Sequence, residues 1–491
     1  MVKLVLKWVN FMKNKRFITN TLIVSSLLLS LIGCNTNPTS EGVKSNPDLT
    51  TIHVIAESPE AITLFRMEEE NIKEKYGIQL VYNYPQRITD RLEDYLFLTE
   101  DTYDIFVIFP GKIPLYIERD MLLPIDSYID RNEELDKEII PVYRKLYMNY
   151  GGHDYGMVYD GDTRLLFYRK DLFEKYNNEY RKQYGVDLTP PETWKEYEQV
   201  AKFLTRDEDG DGKIDIYGTA TLNADTKRYI WFAERFISMG GKYFDEEMHP
   251  LITSKEGLRA INEQIALEES GATPPQSMFD WVDLNNAFLQ GNIAMTVQFS
   301  DTARFSYDEH EETWNSKIAG KVGWSLVPGE TTDSPRGGTW IGRVLSISKD
   351  SKNPDKAWQV IEHITSFDVS KNAIGSFETI NDPYLKSHLT ALGKGPFPSE
   401  KINKDFLETV KDSLKNPNVD LMIPGGWDYM QILDHYLNLA IIGKLTPEEA
   451  LQNTASEWEE ITDKFGREEQ KKYYKEWLQK LEDIKNVSKK E

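Results

Sequence analysis

Apolar positions in the first part of the chain alternate between the spacing of β-strands and that of α-helices. Strand-like runs occur at 52–56, 78–82 and 104–110, and helix-like segments at 64–76 and 88–98 separate them. The last strand-like run is apolar on both faces, which is typical of a central parallel strand. The β-α-β-α-β order predicts a doubly wound sheet, in which ligands bind beyond the carboxyl ends of the strands.

The pattern changes at 156–168, where two short strand-like runs predict a crossover between domains. A mostly helical region follows, with further strands predicted at 293–297 and 344–348. Thr193 and Thr446 each precede apolar positions at helical spacing, so each is predicted to cap the start of a helix.

Length and charge limit the class of protein. The chain has 491 residues, of which 40% are hydrophobic and 28% are charged. These are values of a globular protein, and the length exceeds what one hydrophobic core supports, so two domains are expected. The formal net charge is −22. Because binding to nucleic acid needs a clustered basic face, we expect no nucleic-acid partner.

The N-terminal segment has the pattern of an export signal. Residues 1–33 contain five basic residues and no acid, and an apolar stretch at 22–32 is too short to span a bilayer. The segment ends at Cys34, the only cysteine of the chain, and resembles a bacterial lipobox. This resemblance implies cleavage of the 1–33 signal peptide and attachment of acyl chains such as palmitate at Cys34. Two acyl chains would anchor the protein to the outer face of the membrane, with 34–49 as a flexible tether.

Five further stretches carry motifs, at 159–173, 191–197, 287–295, 338–348 and 351–358. In this order they resemble extracellular solute-binding proteins of family 1. These are the sugar-binding lipoproteins of ABC importers and are related to the maltose-binding protein. The match runs from Thr51 to Gly466, which is nearly the whole chain after the signal.

The resemblance implies an α/β fold of the two-lobe, periplasmic-binding-protein-like type II. Each lobe would hold a mostly parallel sheet flanked by helices, and crossover hinge strands would join the lobes into a clamp. The expected boundaries are 50–160 and 328–378 for lobe 1, and 161–327 and 379–491 for lobe 2 with the C-terminal helices.

The resemblance also implies a function. The expected protein is a monomer that captures a sugar or oligosaccharide between its lobes and delivers it to the permease of an ABC transporter. It would have no enzyme activity and no organic cofactor.

Sugars present hydroxyls and apolar C–H faces, so their sites combine planar polar groups with aromatic rings. Glycines precede Trp340 and Trp427, and the Trp427 segment resembles a ligand-contacting segment of the family, although core packing is the alternative for each tryptophan. Asp160, Asp162 and Arg164 lie at the predicted crossover, where one could bind hydroxyls while another pairs across the hinge. The candidate ligand-binding residues are Glu57, Asp160, Asp162, Arg164, Trp231, Gln298, Phe299, Trp340, Trp427 and Asp428.

An acidic loop at 207–215 has the spacing of a calcium-binding loop. Gly212 falls at the turn position, whereas position twelve is Gly218 in place of the usual bidentate glutamate. Four carboxylates close together repel one another unless a cation neutralises them, so a structural Ca²⁺ is expected, with a solvated acidic turn as the alternative. The predicted ligands are the carboxylates of Asp207, Asp209, Asp211 and Asp215 and the carbonyl oxygen of Lys213.

Two other classes remain open at this point. A secreted glycoside hydrolase would also carry paired carboxylates, aromatics and calcium loops, and such enzymes have no short sequence signature. A binding protein of the same architecture could take a non-sugar ligand such as a peptide. No serine-hydrolase elbow, phosphate loop or zinc-protease helix motif occurs in the sequence.

Overall fold

A computed structural model describes residues 49–84, 92, 96, 102–275, 278–415 and 418–488. The predicted signal peptide, Cys34 and nearly all of the predicted tether lie outside the described residues. So does most of the helix predicted at 88–98.

Strands lie close to the positions that the apolar pattern predicts. Within the described residues the strands are β1 Thr50–Ile55, β2 Ile78–Asn83, β3 Ile105–Ile108, β4 Asn149–Tyr150, β5 His153–Asp154, β6 Met157–Asp160, β7 Arg164–Arg169, β8 Tyr217–Ala220, β9 Ile293–Phe299, β10 Val322–Ser325 and β11 Arg343–Ile347.

Helices cover the sheets and form most of the C-terminal part. Within the described residues the α-helices are α1 Thr63–Met67, α2 Glu69–Tyr76, α3 Ile113–Glu118, α4 Asp126–Ile129, α5 Glu133–Glu138, α6 Lys170–Tyr184, α7 Trp194–Leu204, α8 Arg228–Ser238, α9 Lys255–Glu269, α10 Trp281–Leu289, α11 Thr302–Phe305, α12 Pro354–Thr365, α13 Phe367–Ile374, α14 Glu400–Leu414, α15 Gly426–Ile441, α16 Pro447–Phe465 and α17 Arg467–Ser488. The helix predicted at 64–76 is divided at Glu68, whose φ and ψ of −99° and 1° are not helical.

The first sheet has the order β2-β1-β3-β11-β6 in the part of the chain that the structure describes. β1 pairs in parallel with β2 and β3, whereas β11 runs antiparallel to both β3 and β6. Four of these five strands therefore point the same way. All four residues of β3 are buried, as expected for a central strand.

The second sheet has the order β10-β7-β9-β8 within the described residues. β8 and β9 are parallel, and β7 runs against its neighbours β9 and β10. All seven residues of β9 are buried, and α7 and α10 contact this strand. Both predicted N-caps are confirmed, because Thr193 and Thr446 each form a capping box, with Glu196 and Glu449.

A short crossover connects the two sheets. β6 of the first sheet ends at Asp160, and β7 of the second begins at Arg164. Asp162 lies between them in the left-handed region at φ 42°, and a Cβ on Gly161 would lie only 2.3 Å from the carbonyl oxygen of Pro383. Glycine is needed there because of that close approach.

The α/β class with sheets flanked by helices is therefore confirmed, and in each sheet one strand runs against the rest. The boundaries proposed for the two lobes stay predictions. None of the described helices is long and apolar enough to pass through a lipid bilayer.

Candidate functional site

A cleft with an empty volume of about 790 Å³, partly open to solvent, is lined by segments of both sheets. From the first sheet it receives the residues that follow β1 and β3 and those at the start of β11. From the second it receives the residues that follow β8 and the end of β9, and the start of α10 also lines it. This placement agrees with the expectation that ligands bind near the carboxyl ends of strands.

Arg343 is the cation at the floor of the cleft. Its Nε donates to Oε1 of Glu57 at 2.7 Å, and its Nη1 donates to Oδ2 of Asp160 at 2.7 Å. Oδ2 of Asp162 lies 3.6 Å from the same Nη1. Burial alone would lower the pKa of Arg343, but these three carboxylates outweigh it and raise the pKa. The guanidinium therefore stays charged and holds the acids in place.

Buried carboxyls extend from this floor to the connection after α13. Oδ1 of Asp160 accepts the Asp382 N–H at 2.8 Å, and Oδ2 of Asp382 accepts the Asp301 N–H at 3.2 Å. Arg304 Nη1 lies 3.1 Å from Oδ1 of Asp382. Burial raises the pKa of Asp382 to about 7, and burial together with neighbouring acids raises the pKa of Asp162 and Asp301 well above the usual range. Part of this cluster therefore holds protons near neutral pH.

Aromatic rings form the apolar walls of the cleft. Phe109 follows β3, Phe299 ends β9, and Trp281 begins α10. The Lys227 ammonium lies 4.9 Å from the Phe109 ring centroid, which connects residues near the two sheets across the cleft. Trp281 packs edge-on against Trp314, with ring centroids 5.4 Å apart.

Three of the predicted ligand-binding residues, Glu57, Asp162 and Phe299, line the cleft. Asp160 lies directly beneath it as a fully buried partner of Arg343. Arg164 is also buried, where its Nε donates to Glu234 Oε1 at 3.0 Å and its guanidinium lies 5.0 Å from the Phe299 ring. Arg164 therefore packs against the Phe299 ring without itself lining the cleft.

The structure does not bring the other predicted side chains to the cleft wall. Gln298 is fully buried on β9, and Trp231 packs at 5.3 Å from Trp194. Trp340 is fully buried beside Tyr229. The next residue, Ile341, lines the cleft, whereas Trp340 does not.

Trp427 occupies a second layer behind the cleft. Its ring stacks on Phe109 with centroids 6.5 Å apart and planes at 23°, and Lys112 Nζ lies 4.4 Å from it. Asp428 is not part of the cleft lining. Its Oδ2 lies 3.8 Å from Lys464 Nζ, and burial raises its pKa.

The glycines before these tryptophans have a packing role. A Cβ on Gly426 would lie 1.9 Å from the Leu421 carbonyl oxygen, and one on Gly337 would lie 2.5 Å from that of Ser413. Close approach of two backbones requires glycine as much as approach to a ligand does. That is why the glycine setting did not identify ligand contacts.

Sequence reasoning missed Phe109, Trp281, Lys227 and Arg343. A signal existed for Phe109, because it directly follows the central strand β3, where ligand contacts are expected. Asp301 lies two positions after the predicted contact Phe299 but was not itself predicted. Nothing local in the sequence indicates that Arg343 meets Glu57 and Asp160.

The acidic loop lies on the surface between α7 and β8. Carboxylate oxygens of Asp207, Asp209 and Asp215 can all lie within 4.8 Å of one another. Asp211 is not part of this group. Its carboxylate accepts the Lys213 N–H at 2.8 Å and lies 3.2 Å from Lys213 Nζ. Three of the four predicted carboxylates are therefore brought together.

Comparison with known proteins agrees with this architecture. The sequence profile of the bacterial extracellular solute-binding protein family matches residues 73–369. The mannitol-binding protein of Pseudomonas aeruginosa is 25% identical over 204 residues, which are 41% of this chain and 43% of that protein. The chain thus spans less than half the length of this relative.

Two solved structures share the fold. A solute-binding protein of an ABC transporter from Agrobacterium radiobacter, in complex with ribitol, has a TM-score of 0.71 at 21% identity and covers 85% of this chain and 100% of its own. Maltose-bound MalE3 of T. maritima has a TM-score of 0.68 at 21% identity, with coverages of 84% and 100%. These similarities confirm the predicted two-lobe α/β fold.

Proposed function

The chain belongs to the bacterial extracellular solute-binding protein family, and from this we propose that it captures a sugar, sugar alcohol or oligosaccharide and delivers it to the permease of an ABC importer. The protein acts outside the cytoplasm as a monomer. Mannitol and ribitol are bound by a relative and a structural neighbour, which supports a polyol ligand.

The observation that carries this proposal is the chemistry of the cleft. Its walls offer the rings of Phe109, Trp281 and Phe299, which suit the C–H faces of a sugar. Its floor offers Oε2 of Glu57 and Oδ1 of Asp301, two buried acceptors without a hydrogen-bond partner among the described residues. A buried acceptor without a partner costs about 1–3 kcal/mol, and a ligand hydroxyl removes that cost.

Closure of the lobes provides the means of capture. Both sheets contribute residues to the cleft, so only a closed arrangement lets a ligand contact both at once. Ligand binding then selects the closed state by its differential affinity.

A membrane anchor keeps the capture site near the permease. We expect the acyl chains at Cys34, as the lipobox resemblance implies. With two chains the anchor is stable, whereas a single chain is marginal.

The acidic loop supplies a structural calcium site under this proposal. Asp207, Asp209 and Asp215 would hold the ion, and their clustered carboxylates suit the oxygen ligands that Ca²⁺ prefers. Gly210 and Gly212 have φ of 79° and 88°, which permits the tight loop. The ion would offset two of the three negative charges and would link the start of the loop to its end.

A second candidate function is glycoside hydrolysis, because Asp162 and Asp301 are cleft carboxyls with a raised pKa and could act as general acids. A thermal-shift screen with sugars, sugar alcohols and peptides, followed by chromatography of each sugar, separates the candidates. We expect a sugar or sugar alcohol to raise the melting temperature without conversion. Conversion of any sugar would contradict the binding role, and a shift with peptides alone would contradict the sugar ligand.

A further inference from the structure

The cleft has an unbalanced charge. Its lining contains six acidic side chains and two basic ones, an excess of four formal negative charges. Glu57, Asp162 and Asp301 lie buried inside, whereas Glu60, Asp225 and Asp280 are exposed at the mouth. The mouth acids come from segments near both sheets, so a ligand meets negative charge on either side as it enters.

The two basic residues of the lining do not offset this excess for a ligand. Arg343 is already bonded to Glu57 and Asp160 and lies 3.6 Å from Asp162. The Lys227 ammonium lies against the face of Phe109.

Asp301 differs from the other inner acids. Oδ1 of Asp301 is buried without a hydrogen-bond partner, and no described cation lies within ion-pair distance of its carboxylate. The side chain is 1% exposed and belongs to the cleft lining. When this carboxyl is ionised, it is stabilised most by a donor that also carries positive charge.

Aromatic faces complete the environment of an ammonium group. Phe299 lies two positions before Asp301, and Trp281 and Phe109 line the same cleft. Aromatic rings attract cations through their quadrupole, and acids combined with such rings are a recurrent setting for ammonium ligands.

We propose that the ligand is an aminated sugar, a polyol with a protonated amine, whose ammonium group pairs with Asp301. This inference rests on the proposed function and narrows its substrate class. The hydroxyls of the ligand contact Glu57 and Asp162, and its ammonium group offsets part of the negative charge of the cleft.

Titration calorimetry on the purified full chain with matched ligands tests the proposal. The sets are glucosamine with glucose and N-acetylglucosamine, glucamine with sorbitol, and chitosan disaccharide with diacetylchitobiose. In at least one set the cationic member should bind about ten-fold more tightly or better than the neutral members. If neutral members bind as tightly in every set, the aminated-sugar proposal fails and sugar binding stands. If no member of any set binds, the aminated-sugar proposal fails, and the thermal-shift screen decides whether sugar capture stands.

Proton release gives a second readout that needs no variant. Burial is the largest cause of the raised pKa of Asp301; Asp382 and Asp160 raise it further, whereas Arg304 and the Thr302 N–H lower it. Asp301 in turn raises the pKa of Asp162. An ammonium ligand favours the charged carboxylate, so its binding should release a proton that neutral members do not release. Binding enthalpies in buffers of different ionisation enthalpy report this release, and equal release by both members of a set would overturn the pairing.

A variant locates the interaction. Asp301→Asn should abolish the preference for the cationic member while binding of the neutral member persists, with folding checked by circular dichroism. Asp368→Asn, at an exposed position outside the cleft lining, is the matched control and should retain the preference. A preference that survives in D301N would overturn the assignment to Asp301.

Discussion

Arg343 and Glu57 lie 286 positions apart in the chain, yet Nε of Arg343 is 2.7 Å from Oε1 of Glu57. The contact joins the first residue of β11 to the loop after β1 within the first sheet. Because Arg343 also holds Asp160 at the end of β6, three segments of the cleft floor are fixed before a ligand arrives. Such pre-organisation reduces the entropic cost of binding.

Replacing Arg343 by methionine should destabilise the fold strongly. Glu57, Asp160 and Asp162 would lose their shared cation while buried, and breaking a buried ion pair costs about 3–5 kcal/mol. Urea denaturation measures the loss. Lys349→Met, which removes a pair exposed at the surface with Asp120, is the control and should cost less than about 1 kcal/mol. Similar losses for the two variants would contradict the role of Arg343.

Trp281→Leu should weaken sugar binding with little effect on folding. The half-buried ring lines the cleft, and loss of an aromatic stacking face should raise Kd about ten-fold to a hundred-fold. Calorimetry with the sugar found in the screen measures Kd. Trp231→Phe changes a tryptophan buried away from the cleft, so it should lower Tm and leave Kd unchanged. The opposite pattern would favour Trp231 as the contact.

Calcium should raise the melting temperature and chelation should lower it. A ligand at a free concentration of 100 times its Kd stabilises the folded protein by about 2.7 kcal/mol. Asp207→Asn should remove this dependence because Asp207 belongs to the three-carboxylate cluster. Asp211→Asn should preserve it, because the Asp211 carboxylate is paired with Lys213. A Tm that responds to neither calcium nor chelator would exclude the site.

Asp382→Asn should change how stability depends on pH. Burial raises the pKa of Asp382 from 3.8 to about 7, so the folded protein binds a proton that the unfolded chain releases. Its contribution to stability therefore grows as the pH falls through 7 and is lost as the pH rises. The variant should be more stable relative to the wild type at pH 8 than at pH 5, by on the order of 1–3 kcal/mol in urea titrations.

Asp368→Asn is the control for that titration. A hydrogen bond from Lys371 lowers the pKa of Asp368, so this exposed group stays ionised in both states between pH 5 and 8. The difference in unfolding free energy between Asp368→Asn and the wild type should be the same at pH 5 and pH 8. A flat difference for Asp382→Asn as well would refute the raised pKa.

Cys34→Ser should release the protein from the membrane. Expression in a bacterial host with the native signal, followed by fractionation and labelling with a radioactive fatty acid, measures this. We expect the wild type in the membrane fraction with label and the variant unlabelled in the soluble extracytoplasmic fraction. Labelling of the variant would show that the lipid is attached elsewhere.

Local pattern explains what the sequence could predict. An apolar run on both faces identified β3 as a central strand, and residues directly after strands, such as Glu57, reached the cleft. The capping boxes at Thr193 and Thr446 involve residues within one helical turn, so the sequence alone is enough to predict them.

Long-range contacts explain what it could not. The partners of Arg343 are fixed only when β1, β6 and β11 meet in one sheet. The glycines before Trp340 and Trp427 allow close packing of two backbones. In a sequence, glycines that serve packing look the same as glycines that allow a ligand to approach. Trp281 begins a helix without any such mark and nevertheless lines the cleft.

The crossover at Asp162 has a pharmacological consequence. This residue has a left-handed backbone between the two sheets, and its carboxylate also lines the cleft. Under the proposed clamp mechanism, a ligand that contacts Asp162 would act directly on the segment about which the lobes rotate. An analogue that fills the cleft without contacting Asp162 would compete with the ligand without driving the rotation. Such an analogue would act as an antagonist of uptake.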